Sequence, residues 1–273
     1  MPMLREPLTG SNWIDPDDVP RPVVSFGADM VEVGRFELAP HRHRKSQIIL
    51  VEKGALSCEV EGALWIVPPR SAVWIPGGAL HAIVVTGKLK GYGAFVEPEA
   101  DGLLHKVCCA VSVTPLLREL LARSATLPAL YVEGGAESRL ITVLLDELAA
   151  AEITDLYLPM PTDARLRRII DLMMAAPTDR SLMEVWAQRV GLSERTLARL
   201  ISRETGMSFG RWRQQLSVLL AVKWLAGGAS IQQVADDLGY ESTASFVTMF
   251  RKTLGASPGR YMAERYLGRL QKF

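Results

Sequence analysis

Between Ala187 and Gly255 the chain repeats itself, and this repetition restricts the possible fold more than any other feature. Residues 187–191 match 235–239. Further on, Leu197 matches Phe246, Ile201 matches Phe250 and Gly206 matches Gly255. Each copy reads as a helix, a tight glycine turn and a second helix, with Gly191, Gly206, Gly239 and Gly255 at the stops. Ser181 followed by Glu184, and Ser230 followed by Gln233, have the form in which a hydroxyl and a carboxylate or amide satisfy the free donors of a first helical turn. Ser257 and Pro258 supply an N-cap with proline at the first helical position. The arrangement is that of a helix-turn-helix: a short first helix crosses the DNA backbone and buries a small alanine against the second, which lies in the major groove. The apolar spacing of residues 209–226 supports one long helix between the copies, holding two reading heads apart. Two heads on one face of B-DNA must stand about 34 Å apart.

The charge divides in the same way as the pattern. Residues 1–162 hold 14 Lys/Arg against 20 Asp/Glu, a net −6, while residues 163–273 hold 17 against 10, a net +7. A basic second half suggests that nucleic-acid contact is confined to it. With 273 residues, 48% of them hydrophobic and 22% charged, the chain is expected to fold as two ordinary soluble domains. No apolar run approaches the ~18 residues of a membrane span, and Arg5, Glu6, Asp15, Asp17 and Asp18 interrupt any signal-peptide core, so a cytoplasmic location is expected. Cys58, Cys108 and Cys109 are too few and too poorly spaced for a disulfide framework and read as reduced thiols.

The first half has a different period. From about Val23 to Val96, short apolar stretches are cut by glycine and proline at ~8 to 12 residue spacing, the pattern of a small all-β barrel or sandwich. Residues 113–124 and 137–152 then read as amphipathic helices with leucines at three- and four-residue steps. Pro159 and Pro161 mark a linker. The expected plan is therefore α+β: an irregular terminus at 1–20, a β-barrel domain with flanking helices at 21–158, a linker at 159–163 and an all-α domain at 164–273 with two helix-turn-helix units joined by a long helix.

Three of the four histidines fall in the β-region. His41 and His43 stand two apart, and His81 follows the turn Pro76-Gly77-Gly78. With Gly54, these residues resemble the two motifs of the cupin superfamily, the first placing His-x-His and a Glu before a glycine, the second running Pro-x-Gly-x-x-His. Gln47 stands where cupin metalloproteins usually carry the Glu. Three neutral imidazoles converging in a barrel suit a divalent transition metal (zinc, nickel, copper or iron) with Gln47 or water completing the shell. The alternatives are that the same histidines line a pocket and hydrogen-bond a small organic ligand, or are inherited barrel residues without a function of their own. Trp65, Trp74, Tyr92 and Phe95 are the further candidates for holding an effector, or else core residues. Arg42, Arg44 and Lys45 either attract an anionic effector or form a solvated loop.

The last hundred residues closely resemble the DNA-binding domain of the AraC/XylS transcription regulators. The likeness is carried by residues 191–200 and 204–206, then by 231–242, Ser245-Phe246, 249–252 and 255–261. It implies DNA contacts on the two recognition helices. On the first, which starts at Ser193, Arg195 and Arg199 stand one turn apart and point away from Leu197, Leu200 and Ile201, as guanine-reading arginines must; Arg203 follows at the end. On the second, starting at Ser242, the family's reading positions fall on Thr243, Ala244, Val247 and Thr248, which lack strong donors and can only touch thymine methyls or accept one hydrogen bond; the first unit is therefore expected to carry most of the base discrimination and the second mainly to position the domain, with Ser242, Arg251 and Lys252 near phosphate. The resemblance implies a promoter-binding regulator, activator more than repressor, controlled by a small effector or metal in the cupin-like domain. It also implies a dimerisation domain in front and contact with RNA polymerase; the helices at 113–124 and 137–152, with more leucine than the barrel alone can cover, are either the homodimer surface or a cover for their own barrel. The rival readings are a cupin metalloenzyme of oxygenase or isomerase type fused to a DNA-binding module, and an architectural DNA binder without a working sensor.

Overall fold

A computed structural model of the chain describes residues 15–30, 35–100, 105–154 and 157–267. Arg5, Glu6 and most of the terminus expected to be irregular therefore lie outside the described residues; Pro16–Asp18 forms a single 3-10 turn capped by Asp15. The chain divides into two compact units, one of residues up to Glu61 with 65–156, the other of residues from Tyr157 onward with the short segment Gly62–Leu64. Among the described residues no helix is long and apolar enough to cross a membrane.

The first unit is a pair of antiparallel sheets. One runs β1 (Val23–Met30), β8 (Leu89–Val96), β3 (Ser46–Lys53), β6 (Ser71–Ile75), β9 (Cys109–Ser112) and β10 (Ile153–Thr154) in that order. The other carries β5 (Ala63–Val67), β4 (Leu56–Val60), β7 (His81–Thr86) and β2 (Arg35–His41). Period two sorts the side chains: on β3, Gln47 and Ile49 face the interior of the barrel while Ile48 and Leu50 face outward, and both faces are buried. The outer face is covered by α1 (Pro115–Ser124) and α2 (Ala136–Ala149), which pack on each other and bury Leu117, Leu121, Ile141, Leu144 and Leu148. Cys58, Cys108 and Cys109 are free thiols.

The second unit is helical beyond the short strand β11 (Tyr157–Pro159): α3 (Ala164–Ala175), α4 (Met183–Arg189), α5 (Glu194–Thr205), α6 (Phe209–Ala226), α7 (Ile231–Asp237), α8 (Thr243–Leu254) and α9 (Pro258–Leu267). The repeat read from sequence is a repeat in structure. Ala187 and Ala235 are buried, as are Leu197, Phe246, Ile201 and Phe250. Leu192 N–H donates to Ala187 O and Tyr240 N–H to Ala235 O, both at 2.9 Å, and Gly191 and Gly239 adopt φ of 69° and 68°. Both recognition helices end on a left-handed glycine, Gly206 and Gly255. The capping expectation holds at Ser230, whose hydroxyl accepts from Gln233 N–H, but not at Ser181. There the cap is Leu182 without a side-chain bond, because Ser181 is held in a turn by Asp179, whose carboxylate accepts its N–H at 2.8 Å. The residues read as a linker are tied to this unit: Pro159 O accepts from the Trp212 indole, and Glu204 accepts from the N–H groups of Thr162 and Asp163.

Candidate functional site

In the first unit the chemistry gathers where two loops meet. His41 ends β2, His43 lies just beyond it, and His81 opens β7, paired in register with His41. The loop after β2 and the Pro76-Gly77-Gly78 turn are clasped together. Gly78 N–H donates to His43 O at 2.8 Å, and Gly77 N–H donates to the Ser46 hydroxyl at 3.0 Å. A Cβ on Gly77 would run into the Arg44 carbonyl oxygen, and Gly78 sits at φ 80°, so both glycines are needed for the approach.

The clasp brings the three histidines together, with one ligand atom from each within 4.8 Å of the others and ring centroids 4.3 to 6.0 Å apart. Each Nδ1 meets a backbone carbonyl: Ala39 for His41 at 2.9 Å, Lys45 for His43 at 2.5 Å and Ala79 for His81 at 2.9 Å. A carbonyl oxygen only accepts, so each Nδ1 carries the proton and each neutral ring keeps its lone pair on Nε2. His81 is almost wholly buried, and burial, reinforced by the two neighbouring histidines, pushes its pKa down to about 4 against the opposing hydrogen bond to Ala79. Its Nε2 is buried with no hydrogen-bond partner among the described residues. His43 Nε2 lies 3.2 Å from Gln47 Oε1, acceptor against acceptor, an arrangement satisfied by a shared cation or by the amide turned to present its NH2. Among the described residues this is the one group of three or more His, Cys, Asp or Glu side chains that could hold a metal, and its donor set of three neutral imidazoles and an amide oxygen fits a divalent transition ion.

His41, His43, Gln47 and Arg42 face an apolar cavity of about 200 Å³ inside the barrel, lined further by Phe26, Met30, Phe36, Leu38, Ile83 and Phe95. On β8, positions 91 and 93 share the inward parity of Phe95 and are glycines; the Phe26 ring lies over Gly93 and stands 5.3 Å from Phe95. Of the aromatic candidates read from sequence, Phe95 alone lines this cavity. Tyr92 has the opposite parity on β8, and Trp74 pairs with outward-facing Ile48 and donates its indole N–H to His105 O at 2.7 Å. Trp65 is a buried residue of β5 away from the cavity. Sequence reading missed Asp15 and Pro16, which reach the cavity from the N-terminal segment without any periodic signal.

Of the three cations beside the histidines, only Arg42 faces the cavity. Arg44 pairs with Glu97, and its N–H donates to Asp17 at 2.6 Å. Lys45 is fully buried rather than solvated: its Nζ donates to Val19 O at 2.7 Å and Arg21 O at 3.2 Å and pairs with Glu97 at 3.2 Å. The guanidinium of Arg44 and the Lys45 ammonium hold the Glu97 carboxyl below its ordinary pKa against its partial burial.

In the second unit, Ser193 caps α5 by accepting from Thr196 N–H, and Ser242 caps α8 by accepting from Ser245 N–H. Arg195 and Arg199 are exposed on α5, opposite buried Leu197, Leu200 and Ile201, and neither makes a hydrogen bond or ion pair among the described residues. Arg203 is exposed but bonded to Glu204 at 3.2 Å. On α8, Ala244, Thr248, Arg251 and Lys252 are exposed and Thr243 and Val247 half-buried. Thr243 donates its hydroxyl to Gln232 Oε1 at 2.6 Å, and Thr248 donates to Ala244 O at 2.9 Å.

Comparison with known proteins matches residues 186–264 to the helix-turn-helix domain family and residues 29–91 to the cupin domain family. The chain is 41% identical over 254 residues to the HTH-type transcriptional regulator NimR of Escherichia coli, covering 92% of each chain. It is 34% identical over 103 residues to the HTH-type transcriptional regulator RipA of Corynebacterium glutamicum, covering 38% of this chain and 31% of that one. Among solved structures it resembles the DNA-binding domain of AdpA in complex with a target DNA, at 27% identity and a TM-score of 0.35, over 38% of this chain and 96% of that one.

Proposed function

The chain belongs to the AraC-type helix-turn-helix transcriptional regulators that carry a cupin domain in front, and from that premise we propose that its cupin unit is a metal-centred sensor controlling how its helical unit reads promoter DNA. His41, His43 and His81 hold one divalent transition ion (zinc, nickel, copper or iron), with Gln47 beside them. A metal held there would supply a Lewis-acid centre, and the adjoining cavity would take the apolar body of a small molecule beside it. Arg42 favours an effector whose head is anionic. The observation that carries this reading is threefold: each Nδ1 meets a backbone carbonyl, one ligand atom from each ring lies within 4.8 Å of the others, and Nε2 of His81 is buried without a partner among the described residues. A buried acceptor left bare costs about 1 to 3 kcal/mol, a cost that an ion bound at His81 Nε2 would remove.

The helical unit binds double-stranded DNA with α5 and α8 in the major groove, Arg195 and Arg199 reading bases, and Ser242, Arg251 and Lys252 on phosphate. Effector binding acts by differential affinity for two domain arrangements, one of which presents the heads productively. The regulator works as a homodimer through α1 and α2 and, as an activator, contacts RNA polymerase. The test is metal analysis of chelator-free protein, expected to give about one equivalent per chain, and close to none after His81→Ala or His43→Ala. No metal in the purified chain and none taken up on titration would reject the sensor reading.

A further inference from the structure

The two recognition helices present opposite chemistry at the same places in the repeat. Leu197 and Phe246, Ile201 and Phe250, and Gly206 and Gly255 each stand 49 residues apart. By the same offset, Arg195 corresponds to Ala244 and Arg199 to Thr248, and all four are exposed. Where α5 carries two guanidinium forks without partners, α8 carries methyl groups.

The hydroxyls of α8 do not restore the missing donors. A hydroxyl has one hydrogen, and here each is committed inside the protein. Thr243 donates to Gln232 Oε1 at 2.6 Å and Thr248 to Ala244 O at 2.9 Å. Ser242 donates to the Ser245 hydroxyl at 3.2 Å, and Ser245 to Ser242 O at 2.7 Å. Gln232 is committed as well, its amide NH2 lying 3.2 Å from both Asp236 carboxylate oxygens. The groups that the first two turns of α8 can offer a base edge are the methyls of Ala244, Val247 and Thr248, and hydroxyl lone pairs. Such a surface cannot pair with guanine O6 and N7 or donate to thymine O4, but it complements the thymine 5-methyl group.

We propose that the two heads read different base chemistry: α5 reads guanine through arginine, and α8 reads thymine through its 5-methyl group, with Ala244, Val247 and Thr248 forming the contact. This rests on the reading of α5 and α8 as the elements that enter the groove. The operator is then asymmetric within each protein copy, with a guanine-bearing segment about one helical turn from a thymine-bearing one.

The test uses the full chain. Duplexes are selected from a random library, and each thymine of the preferred duplex is replaced singly by deoxyuridine, which removes the methyl and keeps the base pair. At one or more thymines about one turn from the required guanines, affinity is expected to fall roughly fourfold, the cost of losing one methyl-sized apolar contact. Thr248→Val, which keeps the methyl and drops the hydroxyl, retains that sensitivity. Thr248→Ser, which keeps the hydroxyl bond to Ala244 O and drops the methyl, loses it at one thymine. Deoxyuridine tolerated at every position, or Thr248→Ser indistinguishable from the parent in its deoxyuridine response, overturns the proposal and leaves α8 as a phosphate-anchoring element. A chain that selects no duplex overturns the sequence-specific reading of the helical unit and this inference with it.

Discussion

A neutral imidazole has one lone pair, and the backbone decides which nitrogen keeps it. In the barrel, Ala39, Lys45 and Ala79 make that decision three times in the same sense, so the site is prepared by main-chain geometry more than by side-chain type. Gln47 is the weak member of the set, a neutral donor 3.2 Å from His43 Nε2. Gln47→Glu should therefore act with two signs. Metal affinity should rise by about tenfold or more in chelator competition, because an anion replaces an amide beside the cation. The metal-free protein should melt below the parent, because a nearly buried carboxylate is then uncompensated. The arginines of α5 separate by their partners. Arg199→Ala should cost about 1 to 3 kcal/mol of discrimination between preferred and random duplex, measured by titration at fixed salt. Arg203→Ala, whose guanidinium is already bonded to Glu204, should weaken both duplexes alike. His41 with His43, and Arg195 with Arg199, were legible from spacing; His81 joined them only through the likeness to the second cupin motif. Lys45 was not: that a lysine is buried depends on Val19, Arg21 and Glu97 arriving from distant strands and turns.

At the scale of elements the two glycine turns look interchangeable in sequence and are not. Gly191 and Gly239 share a left-handed φ, yet a Cβ on Gly191 would meet open space, while one on Gly239 would run into the carbonyl of Thr178. Gly191→Ala should thus lose only the left-handed preference, about 1 to 2 kcal/mol. Gly239→Ala should lose that and a further ~1 to 3 kcal/mol of overpacking. Chemical denaturation of the two variants measures the difference, and equal losses would mean that the approach to Thr178 relaxes freely. The repeat, the long α6 and the strands β3 to β7 were readable because periodicity and punctuation agree there. What sequence could not supply was parity. Short apolar runs buried on both faces carry no alternation, so Trp74 and Tyr92 were as plausible as Phe95 until the register with Ile48 and Leu50 put them on the outer face. Ser181 failed as a cap for a comparable reason, since Asp179 two residues earlier competes for its N–H.

For the molecule as a whole, the division of charge favours the helical unit for DNA, and exposed apolar surface is where the proposed pairing of copies is to be sought. The net +7 of residues 163–273 supplies a salt-dependent attraction to any duplex, while the net −6 of the first 162 supplies none. Attraction of this kind holds a protein near DNA without choosing a site, so specificity must come from the heads and from their number. One chain offers two heads; a dimer offers four, and linking the second pair to the first converts its binding into an intramolecular event at millimolar effective concentration. The surface proposed for that pairing is on α1 and α2, where Leu116 and Val143 remain exposed while their neighbours Leu117 and Leu144 are buried. Replacing Leu116 and Val143 together by glutamate should leave the fold intact, since neither contributes to the core, and should turn a dimer into a monomer by sedimentation. On a duplex with two preferred sites the variant's affinity should fall by about 10²-fold or more, and on a single-site duplex it should change little. If sedimentation finds the variant still dimeric, or the two duplexes respond equally, the copies join elsewhere and α1 and α2 serve only to cover the barrel.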